Sequence, residues 1–338
     1  MLRKTLLFSS LILLLCSSCG NKSDFFKFDG RAQGTFYSVQ YFDPQHRSLQ
    51  RQIDSILLDF DRAVSLWVDS SNLNRLNCGD DSILFPITAD ILEKSLYVNL
   101  LTSGAFDCRV GSLVNAWGFG AKNGTSPDSS TIDSLLLICR SDVGMRMGDN
   151  GSKIFWRDDA RTEIDFNAIA QGYSVDLLAH YLDSLGITDY LIDVGGEVIA
   201  RGFKKGGLPW VVGIEKPADN RFSEPEVMQA VELRNAALVT SGNYRKYYEK
   251  DGVRYSHTID PKTGYPVNHS LLSVTVVDST AWRADALATA FMVMGLDSSL
   301  SFINSHPEIS SVYFIYDDGG RYKTYATDSF NKILNRQQ

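Results

Sequence analysis

The run Ala284-Asp285-Ala286-Leu287-Ala288-Thr289-Ala290 constrains this chain more than any other stretch. It predicts a helix over 281–294 whose small side chains leave room for something bulky to approach. Asp285 and Thr289 stand at i and i+4, so a carboxylate and a hydroxyl share one face, one turn apart. Hard oxygens on a rigid element suit Mg²⁺, which usually takes one or two protein carboxylates and completes its coordination with phosphate and water. The same spacing also fits an amphipathic helix whose Asp and Thr face solvent, and spacing alone leaves both readings open. Just upstream lies His257-Thr258-Ile259-Asp260-Pro261-Lys262-Thr263-Gly264-Tyr265-Pro266. Asp260-Pro261 presets a turn and Gly264 permits a positive φ, so the segment reads as a tight polar loop presenting an imidazole.

Composition narrows the classes. With 338 residues and 44% hydrophobic content, the chain can bury a sizeable core. A net charge of −7 lacks the basic excess that drives nucleic-acid binding. At the N-terminus, Arg3 and Lys4 precede a ten-residue apolar run, 6–15, too short to span a bilayer comfortably. It ends in Cys16-Ser17-Ser18-Cys19-Gly20-Asn21, which resembles a bacterial lipoprotein signal with Cys19 lipidated; a plain secretory peptide is the alternative. The expected organisation is a signal peptide over 1–18, a tether over 19–29 and one domain over 30–338. Cys78, Cys108 and Cys139 are an odd, widely spaced set without zinc-ligand spacing, so they read as core hydrophobes.

Periodicity predicts strands over 35–42, 190–200, 210–214 and 272–277. Helices are predicted over 48–66, from an N-cap at Thr88 to 102, over 168–185 and over 281–294, with a terminal hairpin over 311–326; Asp165 through Gly172 reads as a strand handing over to the third helix, where Asp165 could simply cap it. Segments 121–130, 203–209 and 216–226 read as surface loops. Functional candidates scatter from 34 to 289, which favours one mixed α+β domain with an antiparallel-rich sheet. There is no Gly-x-Gly-x-x-Gly, no Walker loop and no Gly-x-Ser-x-Gly, so Rossmann, P-loop and α/β-hydrolase readings fail.

Several stretches occur in a telling order: Gly34-Thr35, Ser65-Leu66-Trp67, Ser71-Asn72-Leu73-Asn74-Arg75-Leu76-Asn77, Gly104-Ala105-Phe106-Asp107 and Trp117-Gly118-Phe119. Asp165-Phe166-Asn167-Ala168-Ile169-Ala170-Gln171-Gly172-Tyr173, Asp193-Val194-Gly195-Gly196-Glu197 and Thr240-Ser241-Gly242-Asn243-Tyr244 follow, before the segments above. Together they resemble the ApbE family of FAD:protein FMN transferases over roughly 30–300.

The resemblance implies a T-fold-like core and a Mg²⁺ site made by Asp285, Thr289 and the backbone carbonyl of Ala168. It implies FAD contacts at Gln33, Trp67, Ala105, Phe106, Asp107, Asp165, Gln171 and Ile259, and a catalytic role for His257. Departures are visible: Trp67 stands where the family usually has Tyr, Gln33 where it has Met, and Gln171 where it has Lys. Phe166-Asn167 replaces the usual Leu-Gly. Trp offers an equivalent stacking face, whereas Gln171 offers only neutral hydrogen bonds near the phosphates. The implied activity is Mg²⁺-dependent transfer of FMN from FAD to a Thr or Ser hydroxyl of a partner protein, releasing AMP. The implied acceptors are subunits of Na⁺-pumping NADH:quinone oxidoreductase or Rnf-type complexes, met at the periplasmic face of the inner membrane. FAD pyrophosphatase activity and FAD binding without chemistry remain as alternatives.

Overall fold

The structure is a computed structural model. It describes residues 24–122, 124, 126–217, 226–243, 247–250, 253–309 and 311–334. The expected signal peptide, Cys19, the first part of the tether, Tyr244 and most of the loop at 216–226 lie outside these residues.

The chain first forms β1 (Asp24–Ala32) and β2 (Thr35–Asp43), then α1 (Gln50–Val64), α2 (Asn72–Cys78) and α3 (Pro86–Leu101). A 3-10 turn at Cys108–Val110 leads into α4 (Gly111–Ala116) and α5 (Ser129–Cys139), followed by β3 (Val143–Met147), β4 (Lys153–Arg157) and α6 (Ala170–Ser184). Next come β5 (Tyr190–Val194), β6 (Glu197–Arg201), β7 (Trp210–Glu215), β8 (Val227–Leu233), β9 (Ala236–Gly242), β10 (Tyr247–Lys250) and β11 (Val253–Ser256). The chain closes with β12 (Leu271–Asp278), α7 (Ala281–Met294), α8 (Leu296–Ser305), β13 (Val312–Asp317), β14 (Tyr322–Ala326) and α9 (Asp328–Leu334).

One eight-stranded sheet organises the rest, in the order β1-β2-β5-β6-β9-β12-β13-β14. Every pairing in it is antiparallel, as the sequence led us to expect. Period-two alternation gives the sheet two apolar faces. Val39, Tyr190, Ile192, Ile199, Val239, Val274 and Phe314 point to one side, under α1, α6, α7 and α8. Leu238, Val198, Tyr313 and Ile315 point to the other, against Trp210 of the β7–β8 ribbon and Phe330 of α9. A second helical core joins α1, α2 and α3 to the outer side of α7 through Phe60, Leu73, Ile91, Ala286 and Ala290. The alanines of α7 therefore let it pack on both sides, against the sheet and against α3.

Four expectations change. The tether shortens, because Asp24 to Gly30 already form strand: Phe26 and Phe28 alternate with Lys27 and Asp29 and pack onto the sheet's core. The predicted strand over 190–200 is two strands, because Gly195 and Gly196, with φ of 69° and 106°, make the hairpin turn. Thr88 is not the cap of α3. Pro86, whose fixed φ suits the first helical position, opens the helix two residues earlier, and Thr88 is buried with its hydroxyl on the Ala63 carbonyl at 3.2 Å. Finally, no strand precedes Asp165, since β4 ends at Arg157 and an irregular loop leads into α6.

Candidate active site

The helical half of the site is the seam between α6 and α7. Gly172 sits where the two helices come closest: a Cβ there would meet the Ala281 carbonyl oxygen at 2.4 Å and the Asp285 Cβ at 2.8 Å. The Gly172 N–H, in the first turn of α6, donates to Asp285 Oδ2 at 3.0 Å. Asp285 is only 5% exposed, which corrects the reading of a solvent-facing carboxylate. Burial raises its pKa above the ordinary carboxylate range, the Gly172 bond opposes this, and the negative charge of Asp176 adds to the rise. The neighbouring charge that acts on it is thus another acid, so the buried carboxylate has no counter-cation among the described residues.

One turn along α7, Thr289 Oγ1 lies 3.2 Å from Ser241 Oγ at the end of β9. Ala168, half-buried, lies two residues before α6 begins. As a donor set these oxygens suit Mg²⁺: a carboxylate with one oxygen uncommitted and no counter-cation among the described residues, a hydroxyl and a carbonyl. No group of three or more His, Cys, Asp or Glu residues is assembled for a metal among the described residues, and a one-carboxylate donor set does not need one.

The Gln171 side chain reaches the β5–β6 turn. A Cβ on Gly195 would fall 2.4 Å from Gln171 Nε2, 2.9 Å from Thr35 Cγ2 and 3.2 Å from Glu197 Oε2. The Gly195 N–H also donates to the Phe36 carbonyl at 2.9 Å. The β1–β2 turn, which carries Gln33, Gly34 and Thr35, is thereby brought beside the start of α6. Gln33 adopts φ of 53°. Its backbone N–H is held by Asp61 of α1, yet both side-chain amide atoms are buried without a protein partner. An amide in that state has donor and acceptor capacity left for a ligand.

The other half is built from loops, and three asparagines explain how they are held. Asn74 Nδ2 donates to the Leu66 and Val68 carbonyls, both at 3.0 Å, framing the loop that displays Trp67. Trp67 is 62% exposed, so it is a free aromatic face and not a helix-end core residue. Asn72 bonds Ile83 O and Phe85 N, fixing the approach to α3. Asn77 bonds both Ile164 O and Ile164 N, at 2.9 and 2.8 Å, beside Asp165. Spaced at i, i+2 and i+5, these amides substitute for the backbone pairing that irregular segments lack. Their fixing role was not read from the sequence, although the residues themselves were singled out.

Asp165 is buried and burial raises its pKa. It does not cap α6: its Oδ1 accepts the Asn167 N–H at 2.7 Å in a local turn, and its own N–H donates to Cys108 O. That last bond joins it to the loop of Ala105, Phe106 and Asp107. Phe106 is 2% exposed and belongs to the second helical core; its N–H donates to the Thr102 hydroxyl and its carbonyl accepts from Asn99 Nδ2, so it holds the loop in place and presents no free face. Asp107 forms a two-pronged pair with Arg109, at 2.9 and 2.7 Å. Next to it, the buried Cys108 thiol is pushed far up by burial and Cys139 to about 12. Both are free and buried, as core hydrophobes should be, and burial disfavours the reactive thiolate; Cys78, expected in the core as well, is exposed.

The His257 loop has its own support. Trp117 Nε1 donates to Gly264 O at 2.8 Å, and Ile259 bridges to Pro266 and is buried against Trp117. Asp260 accepts from the Lys262 N–H at 2.9 Å and from the Thr263 hydroxyl at 3.1 Å. Gly264, at φ of 75°, allows the expected turn. Phe119 presents its edge to the half-buried His257 ring, with centroids 6.4 Å apart. The Lys262 stem reaches over Gly104, within 3.8 Å of where its Cβ would lie. This turn is therefore next to the Ala105–Asp107 loop, which in turn holds Asp165.

Comparison with known proteins identifies the family and the fold. The chain matches the ApbE family over residues 33–314. It is 35% identical over 331 residues to the FAD:protein FMN transferase of Vibrio cholerae, covering 96% of this chain and 97% of that protein. It is 34% identical to the FAD:protein FMN transferase of Escherichia coli K12, covering 90% and 88%. The solved flavin transferase ApbE from Vibrio cholerae superposes with a TM-score of 0.80 at 31% identity, over 92% of this chain and all of that one. The Pseudomonas stutzeri flavinyl transferase in its apo form gives 0.79 at 30% identity, over 93% and 98%. The chain belongs to the ApbE family.

Proposed function

We propose that this chain transfers FMN from FAD to a Thr or Ser hydroxyl of a partner protein and releases AMP. The observation that carries the reading is the buried, uncompensated Asp285 at the α6–α7 seam, on the same face as Thr289 and bonded to the first turn of α6. That arrangement suits a divalent cation and a pyrophosphate together. When bound by Asp285, Thr289 and the Ala168 carbonyl, Mg²⁺ supplies charge neutralisation at the pyrophosphate.

The rest is positioning, which is most of what phosphoryl transfer requires. Trp67 offers its exposed face to a flavin or adenine ring. The free amide of Gln33 offers hydrogen bonds near the β1–β2 turn, and Gln171 replaces a cation with a neutral donor. His257, at the edge of the turn, accepts the proton of the acceptor hydroxyl. The hydroxyl oxygen then bonds the FMN phosphorus, the bond from that phosphorus to the bridging oxygen breaks, and AMP carries the electron pair away.

The proposed acceptors are flavinylated subunits of Na⁺-pumping NADH:quinone oxidoreductase or Rnf-type complexes. The proposed location is the periplasmic face of the inner membrane, through a lipid on Cys19. No helix among the described residues is long and apolar enough to cross a membrane. The test incubates the chain with FAD, Mg²⁺ and an acceptor domain. Acceptor-bound flavin fluorescence on a denaturing gel with stoichiometric AMP supports transfer. FMN and AMP without labelled acceptor means that water is the acceptor, and intact FAD means binding alone.

A further inference from the structure

The helices that carry the cation oxygens lack caps of their own. The N-cap residue of α6 is Ile169 and that of α7 is Thr280, and neither makes a side-chain cap bond. Each helix is capped instead by an aspartate of the other. Asp285 of α7 takes the Gly172 N–H in the first turn of α6. Asp176 of α6 takes the first two N–H groups of α7, from Ala281 to Oδ1 at 3.0 Å and from Trp282 to Oδ2 at 2.8 Å. Both oxygens of Asp176 are committed, so it is not a spare ligand. Gly172 lets the helices approach until such exchange is geometrically possible.

This matters because the candidate donors come from both partners of the pair. Ala168 leads into α6, whereas Asp285 and Thr289 ride on α7. Their mutual distances are the axial register of α7 against α6, and ordinary apolar packing along α7's alanine-rich surface resists sliding weakly. Two charged hydrogen bonds at the first turn resist it directionally.

Resting on the Mg²⁺ reading above, we infer that Asp176 is a positioning residue that sets the spacing of the Ala168, Asp285 and Thr289 oxygens by capping α7 from α6. It touches neither FAD nor acceptor. Its carboxylate holds the start of α7 one turn from Asp285, and the Asp285–Gly172 bond holds the same seam from the opposite direction. Losing the cap frees α7 to shift along its axis, which changes cation affinity before it changes the fold of the sheet.

The test is Asp176→Asn, which keeps shape and one acceptor but loses the charge and the second oxygen. Mg²⁺ binding to the FAD-loaded chain is measured by calorimetry without acceptor, alongside the Mg²⁺ dependence of FMN transfer. The expected result is Mg²⁺ affinity roughly tenfold weaker, at the low end of what outer partners of a metal site contribute. The rate at saturating Mg²⁺ should recover, and KM for FAD should be little changed. Asp176→Glu, which retains charge and both oxygens, should regain part of the affinity and serves if the Asn variant does not fold. Ser299→Ala, which loosens the start of α8 by removing hydroxyl bonds to Phe291 and Gly295, is the stability control and should leave Mg²⁺ affinity unchanged. A folded Asp176→Asn chain with wild-type Mg²⁺ affinity overturns the inference and leaves Asp176 a purely structural cap. A wild-type chain that binds no Mg²⁺ overturns the metal reading as well, so the two failures are distinct.

Discussion

The two halves of the candidate site are held by different means. In the helical half, position comes from the register of α6 and α7, set by buried charge and by Gly172. In the loop half, position comes from side-chain amides: Asn74 frames the Trp67 loop, Asn77 holds Ile164 beside Asp165, and Trp117 holds the His257 turn. On the proposed function, the helical half would hold oxygens that keep tenths-of-an-ångström spacing around an ion, and its carboxylate, Asp285, is buried. The loop half, on the same proposal, would face a large ring system and an acceptor, and it keeps Trp67 exposed. The proposed function thus places rigidity where coordination would demand it and adaptable surface where a large substrate would enter.

Substitutions in the two halves should therefore differ in kind. The largest effect is expected from Asp285→Asn. Transfer should fall on the order of 10³-fold or more, the consequence of losing several kcal/mol of charge stabilisation. Metal-free thermal stability should stay level or rise, because a neutral amide still accepts from Gly172 and no longer buries a charge; an unfolded variant would break the separation of function from fold. Next comes His257→Ala, which should lower transfer by roughly 10²–10⁴-fold. FAD affinity should be retained and the deficit should shrink at higher pH. Loss of FAD affinity in step with rate would make the imidazole a ligand of FAD, and the base would lie elsewhere.

Trp67→Ala should raise KM for FAD by roughly 5–150-fold, the equivalent of about 1–3 kcal/mol of stacking. Its melting temperature should hardly move, because the side chain is exposed; a large shift would place Trp67 in the core of the fold. Asn74→Ala removes two backbone clamps. It should cost about 1–3 kcal/mol of stability, each bond contributing about 0.5–1.5, and should raise KM less than Trp67→Ala does. Equal KM effects would show that loop order and ring face cannot be separated.

The smallest effect concerns pH. Burial raises the Asp285 pKa in the fold, so the folded chain holds that proton more tightly than the unfolded chain. This contribution to metal-free stability is full below the ordinary carboxylate value of about 4 and is lost as pH rises through the raised value. Mg²⁺ should reverse the slope by favouring the carboxylate. Melting curves with and without Mg²⁺ across that range check the crossing.

The helical half was readable in the sequence because helices have a fixed period. The Asp285 and Thr289 spacing and the bounds of α7 follow from it. What periodicity does not report is depth: spacing left a solvent-facing Asp285 open, but alanines on every side let the sheet and α3 both cover the helix. Cross-helix caps such as Asp176 depend on two segments about a hundred residues apart, and a single segment carries no sign of them. In the loop half, the asparagines and Trp117 could be singled out by family resemblance, yet their carbonyl and amide partners lie as far as 147 residues away. The Gly195-Gly196 hairpin was within reach, since adjacent glycines inside an apolar run signal a turn. Ser241, against Thr289, had a visible motif but no visible partner.

The seat of Gly264 carries a lesson for mutational mapping. A Cβ at this glycine would strike Ile132 at 2.7 Å, Leu136 at 3.2 Å and Leu113 at 3.3 Å, so the imidazole's turn rests directly on α4 and α5. Neither helix contributes a candidate contact to FAD or cation. A saturation scan scored on flavin transfer will nevertheless flag Ile132 and Leu136 as intolerant, and the same scan scored on abundance will rank them lower. On the proposed function, side-chain size in α5 is tied to chemistry on a loop more than a hundred residues downstream.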